Sequence, residues 1–158
     1  MIVAIDFGIT NTDVALSNKS QYKFFSMPSK NANESFIDEI ISLIDIDITE
    51  ISQIVVTGGK SNELNESFKG VNLTKISETD AIGYGTKEIY KIENEPFITL
   101  SCGTGTACIH HQDGQFSYIG GIAVGGGTIS GLSKAILDSS SLEEITDLAL
   151  KGNRKNID

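Results

Sequence analysis

Residues 5–12 read Ile5-Asp6-Phe7-Gly8-Ile9-Thr10-Asn11-Thr12, at the end of an apolar run that starts at Ile2. A similar turn follows about 95 residues later, Ser101-Cys102-Gly103-Thr104-Gly105-Thr106, after the apolar run 97–100. Each run is typical of a short buried strand, and each turn leads into another apolar stretch. Two strand–turn–strand units of this kind indicate an internal repeat. The sequence therefore predicts two related α/β lobes.

The residue types in both turns are suited to binding phosphate. Glycine lets the backbone approach a ligand without a Cβ in the way, and threonine hydroxyls and backbone N–H groups donate to phosphate oxygens. Glycine, threonine and asparagine are also ordinary turn formers, so one such turn alone would be structural. Because the turn recurs, we expect the two turns to face one another and to hold a polyphosphate between them.

Composition limits the partners and the compartment. The 158 residues carry a net charge of -9, which argues against nucleic acid or an anionic membrane as the main partner. No stretch approaches the roughly 18 to 20 apolar residues of a membrane span, and the N-terminus lacks the basic region of a signal peptide. We therefore expect a cytoplasmic protein. The spacing of Cys102 and Cys108 fits neither a redox motif nor a zinc site, which predicts two core residues.

Apolar periodicity and turn residues predict the remaining elements. They are a strand at 22–27, a helix at 36–44 with Asn33 as its N-cap, a strand at 54–56, a polar helix at 62–68, a strand at 71–73, a helix from Glu78, a boundary at 94–96, a tight turn at 113–114, a glycine-rich segment at 120–128 and helices at 129–137 and 142–150. His110 and His111 lie at the end of a predicted strand. We expect them to be solvated rather than a metal-binding pair.

Five motifs in chain order resemble the type II pantothenate kinases, which belong to the acetate kinase, hexokinase, Hsp70 and actin superfamily. They are Ile5-Asp6-x-Gly8-x-Thr10, Val56-Thr57-Gly58-Gly59-Lys60, Glu78-x-Asp80-Ala81, Gly103-Thr104-Gly105-Thr106 and Gly120-Gly121-x-x-x-Gly125-Gly126-Gly127-Thr128. The resemblance implies an α/β, ribonuclease H-like fold of the actin and hexokinase type. It further implies a complete ATPase lobe at 1–95 and the start of an incomplete second lobe at 96–158.

The resemblance also implies the reaction and its residues. ATP with Mg²⁺ would phosphorylate the primary hydroxyl of pantothenate in a homodimeric enzyme, with Glu78 as the catalytic carboxylate and Asp6 as the metal-linked residue. The implied nucleotide-binding residues are Asp6, Gly8, Thr10, Asn11, Gly103, Thr104, Gly105, Thr106, Gly125, Gly126 and Gly127. The implied substrate residues are Lys60, Tyr118, Gly120 and Gly121.

Other interpretations stay open at this point. Taken alone, Asp6 is also a turn cap, Glu78 an ordinary acid at a helix N-terminus and Lys60 a surface lysine. Asp13 and Tyr118 stand where the family usually has a lysine and an arginine, which favours a noncatalytic nucleotide- or coenzyme A-binding homologue, or one half of a split kinase. A kinase for another hydroxyl-bearing substrate is a third possibility, because the superfamily shares its phosphate loops among many substrates. The superfamily's iron-sulfur ATPase activators fit less well, since they need ligand cysteines at a dimer interface.

Overall fold

The computed structural model describes residues 1–18, 21–59 and 61–156, with the side chain of Arg154 excepted. The chain divides into two compact units, Met1–Glu93 and Asn94–Asp158. Elements of the first unit are β1 (Ile2–Phe7), β2 (Asn11–Asn18), β3 (Gln21–Pro28), α1 (Glu34–Leu43), β4 (Gln53–Thr57), β5 (Ser67–Phe68), β6 (Val71–Lys75) and α2 (Glu78–Tyr90). Elements of the second unit are β7 (Phe97–Cys102), β8 (Thr106–Gln112), β9 (Gln115–Ile122), α3 (Gly126–Leu137) and α4 (Leu142–Lys151).

The strands of the first unit form a mixed sheet in the order β3-β2-β1-β4-β6-β5. β1 pairs with β2 antiparallel and with β4 parallel. Because β1 and β4 run in the same direction, their carboxyl ends meet at one edge of the sheet, where Asp6 is paired with Thr57. This topology gathers the ends of two predicted motifs at one corner of the unit.

The core of the first unit lies between the sheet and α1. Successive strand side chains point to opposite faces, and Val3 and Ile5 of β1 are 0% and 1% exposed. The face they share packs against the apolar side of α1, where Ile37 and Ile40 are fully buried. The predicted helical periodicity of this segment is thereby confirmed, and so is the N-cap, since the Asn33 side chain accepts a hydrogen bond from the Phe36 N–H at 2.9 Å.

Removing this cap should lower stability modestly. Asn33→Ala leaves the Phe36 N–H without its side-chain acceptor, so the free energy of unfolding should fall by about 0.5–2 kcal/mol. Asn33→Asp keeps an acceptor at the same place, so its free energy of unfolding should lie within a few tenths of a kcal/mol of that of the parent. Urea denaturation followed by circular dichroism measures both variants. Equal losses in both variants would show that the side-chain acceptor at position 33 does not stabilise the helix.

The predicted polar helix at 62–68 is wrong. Ser61–Glu63 forms one short 3-10 turn, and β5 then pairs antiparallel with β6. Two positive φ angles, 47° at Lys69 and 85° at Gly70, make the tight turn between these strands. Such turns suit short hairpins because their twist matches that of the strands, and the hairpin buries Phe68 to 2% exposure. In the sequence, the Lys69-Gly70 pair was the feature that indicated a turn at this place.

The second unit begins with a repeat of the first. β7, β8 and β9 form an antiparallel sheet in that order, and α3 follows β9 as α1 follows β3. The predicted tight turn at 113–114 is present, with φ of 52° at Asp113 and 76° at Gly114. β9 extends to Ile122, so it includes Gly120 and Gly121, and the β8–β9 register is irregular between Cys108 and Ile109. The internal repeat predicted from the two turns is therefore visible in the element order.

Two predictions about side chains of this unit are wrong. Cys102 is exposed and Cys108 only partly buried, because the face of β7 on which Cys102 lies is open. His111 is 1% exposed instead of solvated. The β-sheet register places it between Phe97 and Phe116, whose ring centroids lie 4.7 and 4.9 Å from the imidazole. Aromatic neighbours across three strands bury the ring, which chain position alone did not indicate.

Within the described ranges, every helix is too short or too polar to cross a bilayer.

Candidate functional site

The first glycine-threonine turn joins β1 to β2 and is held in shape by Ser29. The Ser29 hydroxyl donates to the Gly8 carbonyl and lies 3.2 Å from the Thr12 hydroxyl oxygen. The Ser29 N–H donates to the Thr10 carbonyl at 3.1 Å. A Cβ on Gly8 would lie 2.5 Å from the Asn11 carbonyl oxygen, so this bend requires glycine. Thr10 and Asn11 are exposed at its tip, where predicted phosphate ligands need to be.

Acidic side chains meet at the end of β1. The register of β1 and β2 places Asp13 directly opposite Asp6, and both line one cavity of about 630 Å³ in the first unit. Glu78 is the first residue of α2, which begins after the N-cap Ser77. Burial raises the pKa of the Asp6 carboxyl, and the negative charges of Glu78 and Asp13 raise this pKa further. The structure thus brings the predicted metal-linked residue and the predicted catalytic carboxylate within electrostatic reach of each other.

The Thr57-Gly58-Gly59 segment packs tightly against the same corner. A Cβ on Gly58 would lie 2.3 Å from the Asp6 Oδ1, and one on Gly59 would lie 2.7 Å from the Phe7 carbonyl oxygen. Both glycines also have positive φ angles, 72° and 43°, that disfavour other residues. Lys60, a predicted substrate residue, lies outside the described residues. The second motif therefore belongs structurally to the corner that carries Asp6.

Thr57 is a polar group that sequence reasoning did not single out as a ligand. Thr57 is 7% exposed and lines the same cavity as Asp6. Its hydroxyl has no hydrogen-bond partner within the described part of the chain. A buried hydroxyl without a partner is costly, which makes a bound polar group its natural complement. The feature that identifies Thr57 as a site residue is its parallel pairing with Asp6. This pairing can be recognised only once β4 is known to lie beside β1.

The fit of Mg²⁺ to this corner depends on the number of ligands needed. Within the described ranges, no three histidine, cysteine or acidic side chains are grouped as a complete metal site. Magnesium, however, keeps several waters and is usually held by one or two carboxylates together with substrate phosphates. Asp6, with Asp13 opposite and the Thr57 hydroxyl nearby, meets that smaller requirement.

The raised pKa of Asp6 has a consequence for stability. A carboxyl whose pKa is higher in the folded than in the unfolded chain lowers stability as the pH rises above its ordinary value of 3.8. Asp6→Asn should therefore be more stable than the parent at pH 7 in the absence of Mg²⁺, and this difference should shrink as the pH falls from the raised pKa of the folded chain toward 3.8 and be largely absent below 3.8. Urea unfolding at a series of pH values measures this. A variant less stable than the parent at pH 7 would contradict it.

The second glycine-threonine turn, between β7 and β8, packs directly on the glycine-rich segment that starts α3. The Gly126 N–H donates to the Gly103 carbonyl at 2.8 Å. A Cβ on Gly125 would lie 2.6 Å from the Gly105 carbonyl oxygen, and one on Gly127 would lie 2.7 Å from the Thr104 Cγ2. The Thr106 hydroxyl donates to the Val124 carbonyl at 2.8 Å. Two motifs predicted to bind nucleotide therefore form one glycine-lined surface at the N-terminus of α3.

This helix N-terminus has the features of an anion site. Its N-cap is Gly125, which offers no side-chain cap to the first N–H groups. The Gly126 N–H is already bonded to the Gly103 carbonyl, so the N–H groups that follow it in the first turn, together with the helix dipole, favour a negative ligand there.

The predicted substrate residues of the second unit lie next to this surface. A Cβ on Gly121 would lie 2.6 Å from the Thr106 carbonyl oxygen and 2.4 Å from the Tyr118 hydroxyl. Tyr118 itself is 59% exposed, and Gly120 pairs with Cys108 across the strands. The structure thus groups Tyr118 and Gly121 with the second turn. The two turns belong to different units, so the shared crevice stays a prediction.

Ser29 and Lys30 are further residues that sequence reasoning missed. They line a second cavity of about 270 Å³ beside the first turn, together with Gly8 and Gly59. The Lys30 ammonium lies 2.6 Å from the Glu39 carboxylate, with which it forms a solvent-exposed ion pair. The clustering of polar residues after Pro28 was the only available signal, and it is equally typical of an ordinary loop.

Comparison with known proteins extends these observations. Residues 84–158 match the Fumble family. A type II pantothenate kinase from Bacillus anthracis is 33% identical over 99% of this chain, which covers 56% of that protein. The chain therefore spans a little over half the length of the curated relatives it matches.

Solved structures agree on the fold. An activator of 2-hydroxyisocaproyl-CoA dehydratase from Clostridium difficile, with bound ADPNP, superposes with a TM-score of 0.67 at 16% identity, covering 96% of this chain and 57% of that one. A ROK family protein from Streptococcus pneumoniae, in complex with sucrose, gives 0.56 at 14% identity, covering 96% and 68%. The expected actin- and hexokinase-type α/β fold is confirmed, and the chain is similar in sequence to part of the type II pantothenate kinases along essentially its whole length.

Proposed function

We propose that this chain carries the phosphoryl-transfer residues of an ATP-dependent pantothenate kinase, which forms 4'-phosphopantothenate. The observation that supports it most is the corner where Asp6 and Glu78 interact beside the Gly58-Gly59 turn, in a chain homologous to such kinases. Kinases depend chiefly on positioning and on charge stabilisation around the transferred group. The residues at this corner are of the types that such a reaction needs.

The nucleotide is held in this proposal by backbone groups rather than by basic side chains. The turn at Gly8–Asn11 and the surface formed by Gly103–Thr106 with Gly125–Gly127 donate N–H and hydroxyl groups to the phosphates. Oriented backbone dipoles act at short range, so they attract phosphate even on a chain with a net charge of -9. Bound Mg²⁺ would neutralise charge on the phosphates, with Asp6 as its protein ligand.

In this proposal, Glu78 is the general base that accepts the proton of the pantothenate hydroxyl. The primary hydroxyl oxygen of pantothenate forms a bond to the γ-phosphorus, the bond from that phosphorus to the β,γ-bridging oxygen breaks, and ADP leaves. The hydroxyl proton passes to the Glu78 carboxylate, which is exposed at the start of α2 and accessible to a substrate. Lys60, Tyr118, Gly120 and Gly121 would contact pantothenate.

Quaternary structure and location complete the proposal. We infer a cytoplasmic homodimer from the resemblance to the kinase family. Sedimentation velocity at several concentrations measures the assembly state, and a chain that stays monomeric at all of them would contradict the dimer.

A specific observation favours a second candidate. Asp13 lies opposite Asp6 and lines the same cavity, which places a further negative charge near the proposed phosphate site. This arrangement suits a homologue that binds a nucleotide without transferring its phosphate.

The experiment that separates the two candidates is a product assay. The chain is incubated with ATP, Mg²⁺ and pantothenate, by itself and co-expressed with the segment of the Bacillus anthracis relative that this chain does not span. Mass spectrometry of 4'-phosphopantothenate supports the kinase if product forms in either format. Nucleotide binding with no product in both formats supports the noncatalytic homologue.

A further inference from the structure

A row of oxygen-bearing side chains crosses the sheet of the first unit at the cavity of about 630 Å³. Asp13 of β2 lies directly opposite Asp6 of β1 in the antiparallel register. Asp13 also pairs with Ser26 of β3, and Asp6 pairs with Thr57 of β4. Residues paired across strands share one face of a sheet, and all four of these line the cavity. The strands therefore present two carboxylates, flanked by two hydroxyls, to one ligand.

The two carboxylates lack a basic partner among the described residues. Side chains directly opposite in an antiparallel pair have Cβ atoms about 4.5–5.5 Å apart, and like charges at that separation repel. The ion pairs within the described ranges are made by other acids, namely Asp38, Glu39, Glu88, Asp138 and Asp147. A cation between Asp6 and Asp13 would turn this repulsion into attraction.

The Thr57 hydroxyl is a second, independent indication of a ligand. Thr57 is 7% exposed, and within the part of the chain that the structure describes its hydroxyl oxygen has no hydrogen-bond partner. The Asp6 carboxylate turns toward this strand, since a Cβ on Gly58, the residue after Thr57, would overlap the Asp6 Oδ1 atom. Buried polar groups are normally paired. A hydrated ion held by Asp6 would provide the missing partner.

The chemistry of these side chains points to a hard divalent cation. Carboxylate and water ligands suit Mg²⁺, Ca²⁺ and Mn²⁺, and the described residues that line the cavity include no cysteine or histidine for a softer metal. Mg²⁺ is commonly held by one or two carboxylates and keeps several waters. Asp13 stands where the type II pantothenate kinases usually have a lysine, whose ammonium would repel a cation. The second carboxylate is therefore a feature of this chain and not one that the resemblance implies.

We propose that Asp6 and Asp13 together bind one divalent cation of the Mg²⁺ class before any nucleotide is present, with the Thr57 hydroxyl accepting a hydrogen bond from a water of that ion. This site rests on the proposed function only in that Asp6 holds a metal there. It adds Asp13 as a second protein ligand and makes metal binding independent of ATP. The bound ion also offsets the charge of Asp13, which would otherwise face the phosphates.

Titration of the full chain with Mn²⁺, without nucleotide or pantothenate, tests the proposal by electron paramagnetic resonance of the unbound ion. We expect saturation at one Mn²⁺ per chain and displacement of the bound ion by Mg²⁺. Asp13→Asn should weaken Mn²⁺ binding by about tenfold or more, because one of two charged ligands is lost. Asp113→Asn removes the same charge from the β8–β9 turn and should leave the affinity unchanged. Absence of saturable binding, or equal affinities of the two variants, would overturn the proposal.

Thr57→Val separates a partner of the bound ion from a purely structural residue. Valine keeps the shape of the side chain and removes the buried hydroxyl, so without a cation the variant should melt no lower than the parent. Its affinity for Mn²⁺ should fall by about tenfold, as expected when a group that hydrogen-bonds a metal ligand is lost. A lower melting temperature without the cation, or an unchanged Mn²⁺ affinity, would overturn the proposal.

These measurements are independent of phosphoryl transfer. A chain that binds Mn²⁺ through Asp13 but forms no 4'-phosphopantothenate would contradict the kinase and leave this site intact. A chain that forms the product but binds no Mn²⁺ without ATP would contradict this site alone.

Discussion

Glu78→Gln should lower the rate of pantothenate phosphorylation by about 10²–10⁴-fold, the range that general base catalysis contributes. Glutamine keeps the size of the side chain but cannot accept the hydroxyl proton. Since Glu78 is exposed, the protein should remain folded, with a loss of about 0.3–1 kcal/mol from its favourable position at the N-terminus of α2. The measurement is the rate of 4'-phosphopantothenate formation at saturating ATP, in whichever of the two formats yields product.

A carboxylate on the same helix provides the control. Glu88 is exposed and its side chain pairs with Lys91, three residues further along α2. Glu88→Gln removes one negative charge from α2 without touching the Asp6 corner, so the rate should stay within about twofold of the parent. Full activity of Glu78→Gln would remove this residue from the mechanism and leave it as an ordinary acid at a helix N-terminus.

Gly125→Ala should damage the nucleotide surface of the second unit. The added methyl group would lie 2.6 Å from the Gly105 carbonyl oxygen and 2.7 Å from the Gly103 carbonyl oxygen, and both are backbone atoms that cannot swing away. Overpacking of this kind costs about 1–3 kcal/mol. If the displaced turn holds phosphate, the affinity for ATP should fall at least tenfold, since about 1.4 kcal/mol corresponds to a factor of ten. Calorimetric titration with ATP and Mg²⁺ measures the affinity.

The same substitution further along α3 has the opposite expected sign. A Cβ on Gly131 would meet nothing within 4 Å, and this residue lies inside the helix. Gly131→Ala should therefore raise stability by about 0.5–1 kcal/mol and leave the ATP affinity unchanged. Equal ATP affinities of the Gly125 and Gly131 variants would show that the packing of the two glycine segments is irrelevant to binding.

Local sequence patterns predicted most elements of the fold because those elements depend on local chemistry. The turns at Gly8 and Gly103, the Asn33 cap and the helix from Glu78 are each specified by neighbouring residues. The segment after Gly59 was misassigned because its hairpin depends on the burial of Phe68, which chain position does not reveal. The burial of His111 has the same origin, since Phe97 and Phe116 reach it only through strand pairing.

The candidate site was only partly predictable for a related reason. Glu78 and Asp6 are far apart in sequence, and they interact because α2 begins close to the end of β1. Pairing of Asp6 with Thr57 requires the parallel position of β4, which no local pattern encodes. The packing of Gly125 on the second turn likewise follows from how α3 leaves β9.

Nuclear magnetic resonance of the backbone amides gives the most direct test of nucleotide binding by the two turns. The ¹⁵N-labelled chain is titrated with a non-hydrolysable ATP analogue and Mg²⁺, and the amide shifts of Gly8, Gly105 and Gly127 are followed. The proposal predicts that all three shift along one binding curve with a single Kd, while Gly70, in the β5–β6 turn, does not move. Shifts confined to one unit, or no shift at any of the three glycines, would contradict the proposal that both turns hold one polyphosphate.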